Sequence, residues 1–165
     1  MPETLITNEQ ASVLEFYRRR AQVIFKPVYG GAHAKFLNQE YLTEERLKLA
    51  LKTAPITLQE YIHGTNIRTY CIGKKIYSAE IRSNSLDFRE DINARLIPLE
   101  LPAEIEEQSF KIAAALGLKW TAIDWRLTPA GEYFFLEANP SPMFIHFEQE
   151  TNYPITSAII DLLAV

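Results

Sequence analysis

The stretch EYFFLEANPSPMF, Glu132 to Phe144, runs three apolar residues, Phe134, Phe135 and Leu136, straight into Glu137, and Asn139-Pro140 then ends the pattern. A carboxylate and an amide at the end of so apolar a strand point to something facing them. Upstream, WTAIDWRL has strand character, and TPAGE between the two runs reads as a turn. Taking the loop as the four residues Pro129 to Glu132 pairs Thr128 with Tyr133, and the same register sets Asp124 opposite Glu137. Alternation then predicts Ala122, Asp124 and Arg126 on one face, with Tyr133, Phe135, Glu137 and Asn139 on that face of the partner strand. Directly opposed side chains have Cβ atoms roughly 4.5–5.5 Å apart, and like charges there repel. Two facing carboxylates need a shared proton or a cation between them. Asn139 adds a neutral oxygen on the same side. Three hard oxygen donors without His or Cys suit Mg²⁺, which keeps some waters and takes other ligands from phosphate oxygens. The competing reading, two solvated surface acids, stays open at this point.

A magnesium–phosphate site also needs cations and backbone N–H groups, and KPVYGGAHA offers both. Lys26 at a strand end is a point charge for phosphate oxygens, and Gly30-Gly31 let a loop bring its N–H groups close to them. The order is not that of a Walker A loop, because the lysine precedes the glycines. His33 reads as a loop side chain rather than a ligand or base. Arg82 and Arg89, in EIRSNSLDFRE, have the chemistry to clamp a phosphate or a substrate carboxylate, and equally that of surface ion pairs. The LQEYIHG run reads as a strand between two lobes. Its backbone has an acceptor and a donor to offer an adenine edge, and a bare interlobe strand fits the pattern as well. No Ser/His or Cys/His arrangement for covalent catalysis stands out.

These groups must be held by a mixed set of elements. Thr7 with Gln10 predicts a capping box for a helix whose Val13, Phe16 and Tyr17 line one face. VIF before Lys26 predicts a strand, and TEERLKLALKTA a short helix capped by Thr43. ITLQEYI, IRTYCIG and KIYSAEIRS read as strands, with HGTN and GKK as tight turns between antiparallel neighbours. PAEIEEQSFKIAAALGL predicts a helix with Pro102 at its start, acids in the first turn and Gly117 as its stop. PITSAIIDLLA predicts a closing helix. Helices and mainly antiparallel strands make the fold α+β, with a lobe boundary near residues 54–63. At 165 residues and 47% hydrophobic, the chain has room for one domain or two small lobes. A net charge of −4 argues against a general nucleic-acid or anionic-membrane surface. One cysteine, Cys71, and a start without a signal pattern fit a reducing, cytoplasmic setting.

In order along the chain, FKPVYGG, LQEYIHGTNIRTYCIG, EIRSNSLDFR, AIDW and FFLEANPSP resemble the ATP-grasp superfamily, in particular its ribosomal-protein glutamate ligases and microviridin-type peptide cyclases. The resemblance covers essentially the whole chain. It implies two lobes with mainly antiparallel sheets gripping a nucleotide: 1–58 as the central lobe with the phosphate loop, 59–63 as the adenine-binding hinge, and 64–165 as the C-terminal lobe with the metal site. It implies an ATP- and Mg²⁺-dependent ligase that phosphorylates a carboxylate of a small molecule or peptide, which an amine or hydroxyl then attacks. By the same resemblance Lys26 contacts phosphates, Gly30 and Gly31 belong to the loop over them, and Gln59, Glu60, Tyr61 and Ile62 hold adenine. Asp124, Glu137 and Asn139 hold Mg²⁺, while Arg89, and more weakly Arg82, face the transferred phosphate or the acceptor. Two residues depart from the family pattern: Asn66 stands where an acid is usual, and Arg126 where an apolar or small residue is. Relatives also carry an N-terminal domain ahead of the segment matching TLITN. The expected alternatives are therefore a nucleotide-binding module without complete catalysis, completed by a second copy or a partner chain, or an α+β protein-interaction domain. Nucleic acid and membrane are not expected partners.

Overall fold

Strands that are apolar on one or both faces dictate two separate layers of structure. The computed structural model describes residues 1–28 and 33–164. The chain divides into two compact units, Met1–Ile62 with Ser85–Ile92, and His63–Asn84 with Asn93–Val165. Among the described residues there are nine strands, in two antiparallel sheets, and five α-helices, an α+β fold. No helix among them is long and apolar enough to cross a membrane.

The first unit holds β1 (Thr4–Thr7), α1 (Gln10–Arg18), β2 (Val23–Pro27), β3 (Lys35–Phe36), α2 (Glu44–Thr53) and β4 (Ile56–Glu60), and its sheet runs β1-β4-β2-β3. Val13 and Phe16 of α1, Leu47 and Leu51 of α2, and Val23 and Leu58 of the sheet bury one another as its core. The capping box is not formed. Glu9 is the N-cap of α1, and the Thr7 hydroxyl accepts instead from the Glu9 N–H, at 3.0 Å. Thr43 stands at the N-cap of α2 without a side-chain cap bond.

The second unit holds β5 (Thr65–Ile72), β6 (Lys75–Arg82), β7 (Arg95–Leu99), α3 (Ala103–Ala115), β8 (Trp120–Leu127), β9 (Tyr133–Asn139), α4 (Ile145–Thr151) and α5 (Ile155–Leu163), in the sheet order β7-β6-β5-β8-β9. Because β4 and β5 belong to different sheets, HGTN is not the tight turn between paired strands that its composition suggests. Helix α3 covers Ile67, Cys71, Ile123 and Trp125 on one face. Helices α4 and α5 cover Tyr70, Ile72, Ala79 and Ala122 on the other. A sheet covered on both faces explains why consecutive residues are buried in its central strands, Thr69 to Ile72 in β5 and Thr121 to Ile123 in β8. The stop of α3 is a Schellman motif: Gly117, at φ +67°, donates to Ala114 O and Leu118 to Ala113 O.

The β8–β9 hairpin corrects the expected register. Thr128 N donates to Glu132 O at 2.9 Å and Gly131 N to Thr128 O at 2.9 Å, so the loop closes one residue earlier and Leu127, not Thr128, pairs with Tyr133. Arg126 then pairs with Phe134 and Trp125 with Phe135, but Asp124 pairs with Glu137. Leu136 is the extra residue of a β-bulge. The bulge restores the expected Asp124–Glu137 opposition while reversing the faces beyond it. Tyr133 and Phe135 do not share the face of Glu137; they meet the Trp125 ring edge-on, at 6.5 and 5.8 Å, on the α3 side.

Candidate functional site

Asp124 and Glu137 face each other across β8 and β9. A third group joins them that the sequence did not single out. Arg68, opposite Asp124 on β5, donates from Nε to Oδ1 at 2.8 Å and from Nη2 to Oδ2 at 2.7 Å. Both side chains are mostly buried, 21% exposed for Arg68 and 16% for Asp124, while Glu137 is exposed. Burial works against the Arg68 charge, but hydrogen bonding to Asp124, and then the charges of Asp124, Tyr70 and Glu137, raise its pKa above the usual arginine value. Tyr70 follows on the same face. Burial raises its phenol pKa, and its hydroxyl donates a hydrogen bond to Met143 O at 2.6 Å, tying down the chain just past β9.

Asn139 is opposite Ala122, one alternation step from Glu137 and on the same face. Its carbonyl accepts from the Thr121 hydroxyl at 2.7 Å, and its side-chain oxygen from Ser141 N at 2.9 Å. The amide oxygen thus has a fixed position with one acceptor site committed. Two opposed carboxylates and a fixed amide oxygen are an all-oxygen set, the chemistry Mg²⁺ takes. The bidentate arginine fixes the Asp124 plane and still leaves each oxygen a second lone pair. Among the described residues no group of three or more His, Cys, Asp or Glu side chains could hold a metal ion. An ion here would draw on two protein carboxylates and on oxygens of a ligand, so the residues fit a nucleotide-bound magnesium rather than a protein-caged one.

The remaining expected residues fall elsewhere. Arg82 pairs with Glu80 at 3.0 Å, and Glu80 is opposite Ile67, so alternation carries this pair on the α3 face, away from Asp124. In the first unit, Val23 and Phe25 turn to the core, which puts Lys26 on the other face of the sheet. Gln59 shares that face, opposite Ile24, with its amide donating to the Thr4 hydroxyl at 2.9 Å. Glu60 ends β4, its N–H bonded to Glu3 O, and the Tyr61 N–H donates to Gln22 O. Ile62 closes the first unit. Gly30 and Gly31 lie outside the described residues.

Arg89 is in the 3-10 turn Phe88–Glu90, forked onto Asp87, with Nε 2.7 Å from Oδ1 and Nη2 on Oδ2. Nδ1 of His33 lies 3.2 Å from the same carboxylate. Burial would raise the Asp87 pKa, but the Arg89 side chain and backbone N–H, with His33, hold it well below the usual range. Cys71 is set apart from any chemistry: burial, aided by Glu106, pushes its thiol up to about 12.

Two antiparallel sheets, the second carrying opposed carboxylates at its β8–β9 ribbon, define an ATP-grasp domain of the kind found in ligases. The chain belongs to the RimK-like ATP-grasp domain family, which matches residues 2–163. The solved ATP-grasp ligase PsnB, complexed with a phosphomimetic variant of its minimal precursor, Mg and ADP, is 31% identical with a TM-score of 0.87 over 98% of this chain and 53% of its own. The macrocyclase MdnC from Microcystis aeruginosa, bound with precursor peptide MdnA, is 30% identical with a TM-score of 0.87 over 99% of this chain and 55% of its own. The D-Ala:D-Ser ligase VanG from Enterococcus faecalis shares the fold, with a TM-score of 0.73 at 19% identity, over 99% of this chain and 56% of its own. The chain therefore spans just over half the length of these solved proteins. No curated protein matches it in sequence.

Proposed function

We propose that this chain is the Mg²⁺- and ATP-binding domain of a carboxylate–amine or carboxylate–hydroxyl ligase that acts on a peptide. The observation that carries the reading is Asp124 facing Glu137 across a ribbon, with Arg68 locking the Asp124 plane. Solved relatives in complex with ADP, Mg and precursor peptides support it. Bound Mg-ATP would supply the phosphoryl group that activates a substrate carboxylate toward an amine or hydroxyl. Asp124, Glu137 and the Asn139 oxygen would hold the ion, and the Arg68 fork fixes the plane in which Asp124 presents its oxygens. Lys26 would contribute a point charge to phosphate oxygens. Arg89, held by Asp87, would meet the transferred phosphate or the acceptor carboxylate. Gln59 through Ile62 would serve the base, and Gly30 and Gly31 the phosphates. No side chain acts as a nucleophile, so the chain's contribution is positioning and charge.

The test is the melting temperature with Mg-AMPPNP. Nucleotide at about 100 times its Kd stabilises by about 2.7 kcal/mol, a shift of several degrees for a chain of this size. Asp124→Asn and Glu137→Gln should each cut the shift to about half or less, as a ten-fold or greater loss of affinity requires. Variants that keep the full shift would remove the metal role from these residues.

A further inference from the structure

Two rows of residues cross the second sheet on the face of Asp124. One is Arg68, Asp124 and Glu137, on β5, β8 and β9. The other, one alternation step along, is Tyr70, Ala122 and Asn139. The middle side chain of the second row is a methyl group, which leaves room for the Tyr70 phenol to lean across it. The phenol ring lies against Phe147, with centroids 4.6 Å apart, and the hydroxyl reaches Met143 O at 2.6 Å. We infer that Tyr70 is a positioning residue for the metal site: by holding Met143 O it fixes where the Asn139 amide oxygen stands beside Asp124 and Glu137. The inference rests on the ligase reading above.

The connector between the two points is short and stiff. It runs Asn139-Pro140-Ser141-Pro142-Met143. Each proline has a fixed φ, and each residue before a proline is restricted in turn, so little freedom is left between β9 and Met143. Ser141 carries the one N–H of the three linking residues, and it donates to Asn139 Oδ1 at 2.9 Å. At the near end the Thr121 hydroxyl holds the Asn139 carbonyl at 2.7 Å. At the far end the Met143 side chain is 93% exposed, so its own packing does not hold the chain there, and the Tyr70 hydroxyl does. Releasing that end lets Ser141 N–H move, and the amide oxygen bonded to it moves too. Arg68 ties the two rows together, because it forks onto Asp124 and also hydrogen-bonds Tyr70.

The experiment is calorimetry of AMPPNP on the whole chain, with Mg²⁺ and with EDTA, read as the ratio of the two affinities. Tyr70→Phe keeps the ring against Phe147 and removes the hydroxyl alone. The expected result is a ratio lower by about three-fold or more, the scale of one hydrogen bond, with the affinity in EDTA unchanged. Asn139→Ala should lower the ratio as well, and adding Tyr70→Phe to it should lower it no further, since both act through one oxygen. Phe147→Leu takes away packing and leaves the hydroxyl, so it should lower the melting temperature and leave the ratio alone. Pro142→Gly slackens the connector with Tyr70 intact, and it should lower the ratio. An unaltered ratio in Tyr70→Phe overturns the inference, as does a double variant that loses the product of the two single effects. Should Tyr70→Phe not fold, an unaltered ratio in Pro142→Gly overturns it instead. Indifference to Mg²⁺ in the unaltered chain would fail the ligase reading itself, so the two failures are told apart.

Discussion

Two arginine–carboxylate forks dominate the residue scale, and they answer to different probes. Arg68 gives Asp124 two short charge-assisted bonds in a mostly buried setting. Arg68→Met would strand that carboxylate, and the expected loss is about 2–3 kcal/mol, seen as a lower denaturant midpoint at unchanged slope. Adding Asp124→Asn should return part of the loss, because the buried charge goes with its partner; strict additivity would mean the fork contributes nothing. Asp87 is probed by pH. Its folded pKa lies below its unfolded value, so the folded state binds fewer protons and the contribution is complete above about pH 4. It is lost as pH falls through the depressed folded value. Asp87→Asn should therefore be less stable than the unaltered chain at pH 7, with the gap narrowing below about pH 4. Denaturant midpoints at pH 7 and pH 3 that differ by the same amount would show that the charge is not what matters. Asp124 and Glu137 were legible because acids interrupt apolar runs there. Arg68 was not, since an arginine in a strand looks like any solvated residue until register sets Asp124 opposite it.

At the scale of elements, closing the β5 and β8 ends depends on a single glycine. Gly64 holds φ +152°, and a Cβ there would come 2.0 Å from Leu127 O, a backbone atom that has no rotamer to move away. Gly117 also has positive φ, but a Cβ on it meets nothing within 4 Å. Gly117→Ala should therefore cost about 1–2 kcal/mol, the price of the left-handed backbone, and Gly64→Ala clearly more, about 3 kcal/mol or beyond. Equal melting temperatures for the two variants would contradict the close approach. The helices α3 and α5 and the ribbon β8–β9 could be read because their caps and apolar periods are local. Helix α4 was missed because two turns after Pro142 give too short a period to recognise, and HGTN because turn residues look alike whether a strand returns to its neighbour or leaves the sheet. The bulge at Leu136 is hidden for a physical reason: one added residue leaves alternation intact on both sides of it. The loop that was counted a residue short and the unseen bulge cancelled at Asp124 and Glu137, and did not cancel at Tyr133 and Phe135.

For the whole molecule, charge sets the terms on which a nucleotide can be held. With 21 acids against 17 lysines and arginines, the chain has no overall field to draw in a polyanion. On the proposed function, affinity for ATP would come from local groups, and these differ in what they require. Lys26, in the role proposed for it, would act on phosphate oxygens whether or not a metal is present. Asp124 and Glu137 repel phosphate directly and attract it only through a divalent ion. Calorimetry of ATP should therefore show binding that weakens at least about ten-fold when Mg²⁺ is replaced by EDTA, the loss of one good charge interaction. Asp124→Asn should leave little further dependence on Mg²⁺. Lys26→Ala should weaken binding in both conditions, by a similar factor, and leave the ratio between them unchanged. Affinity that is indifferent to Mg²⁺ would leave the opposed carboxylates without a metal to explain them, however well the fold agrees.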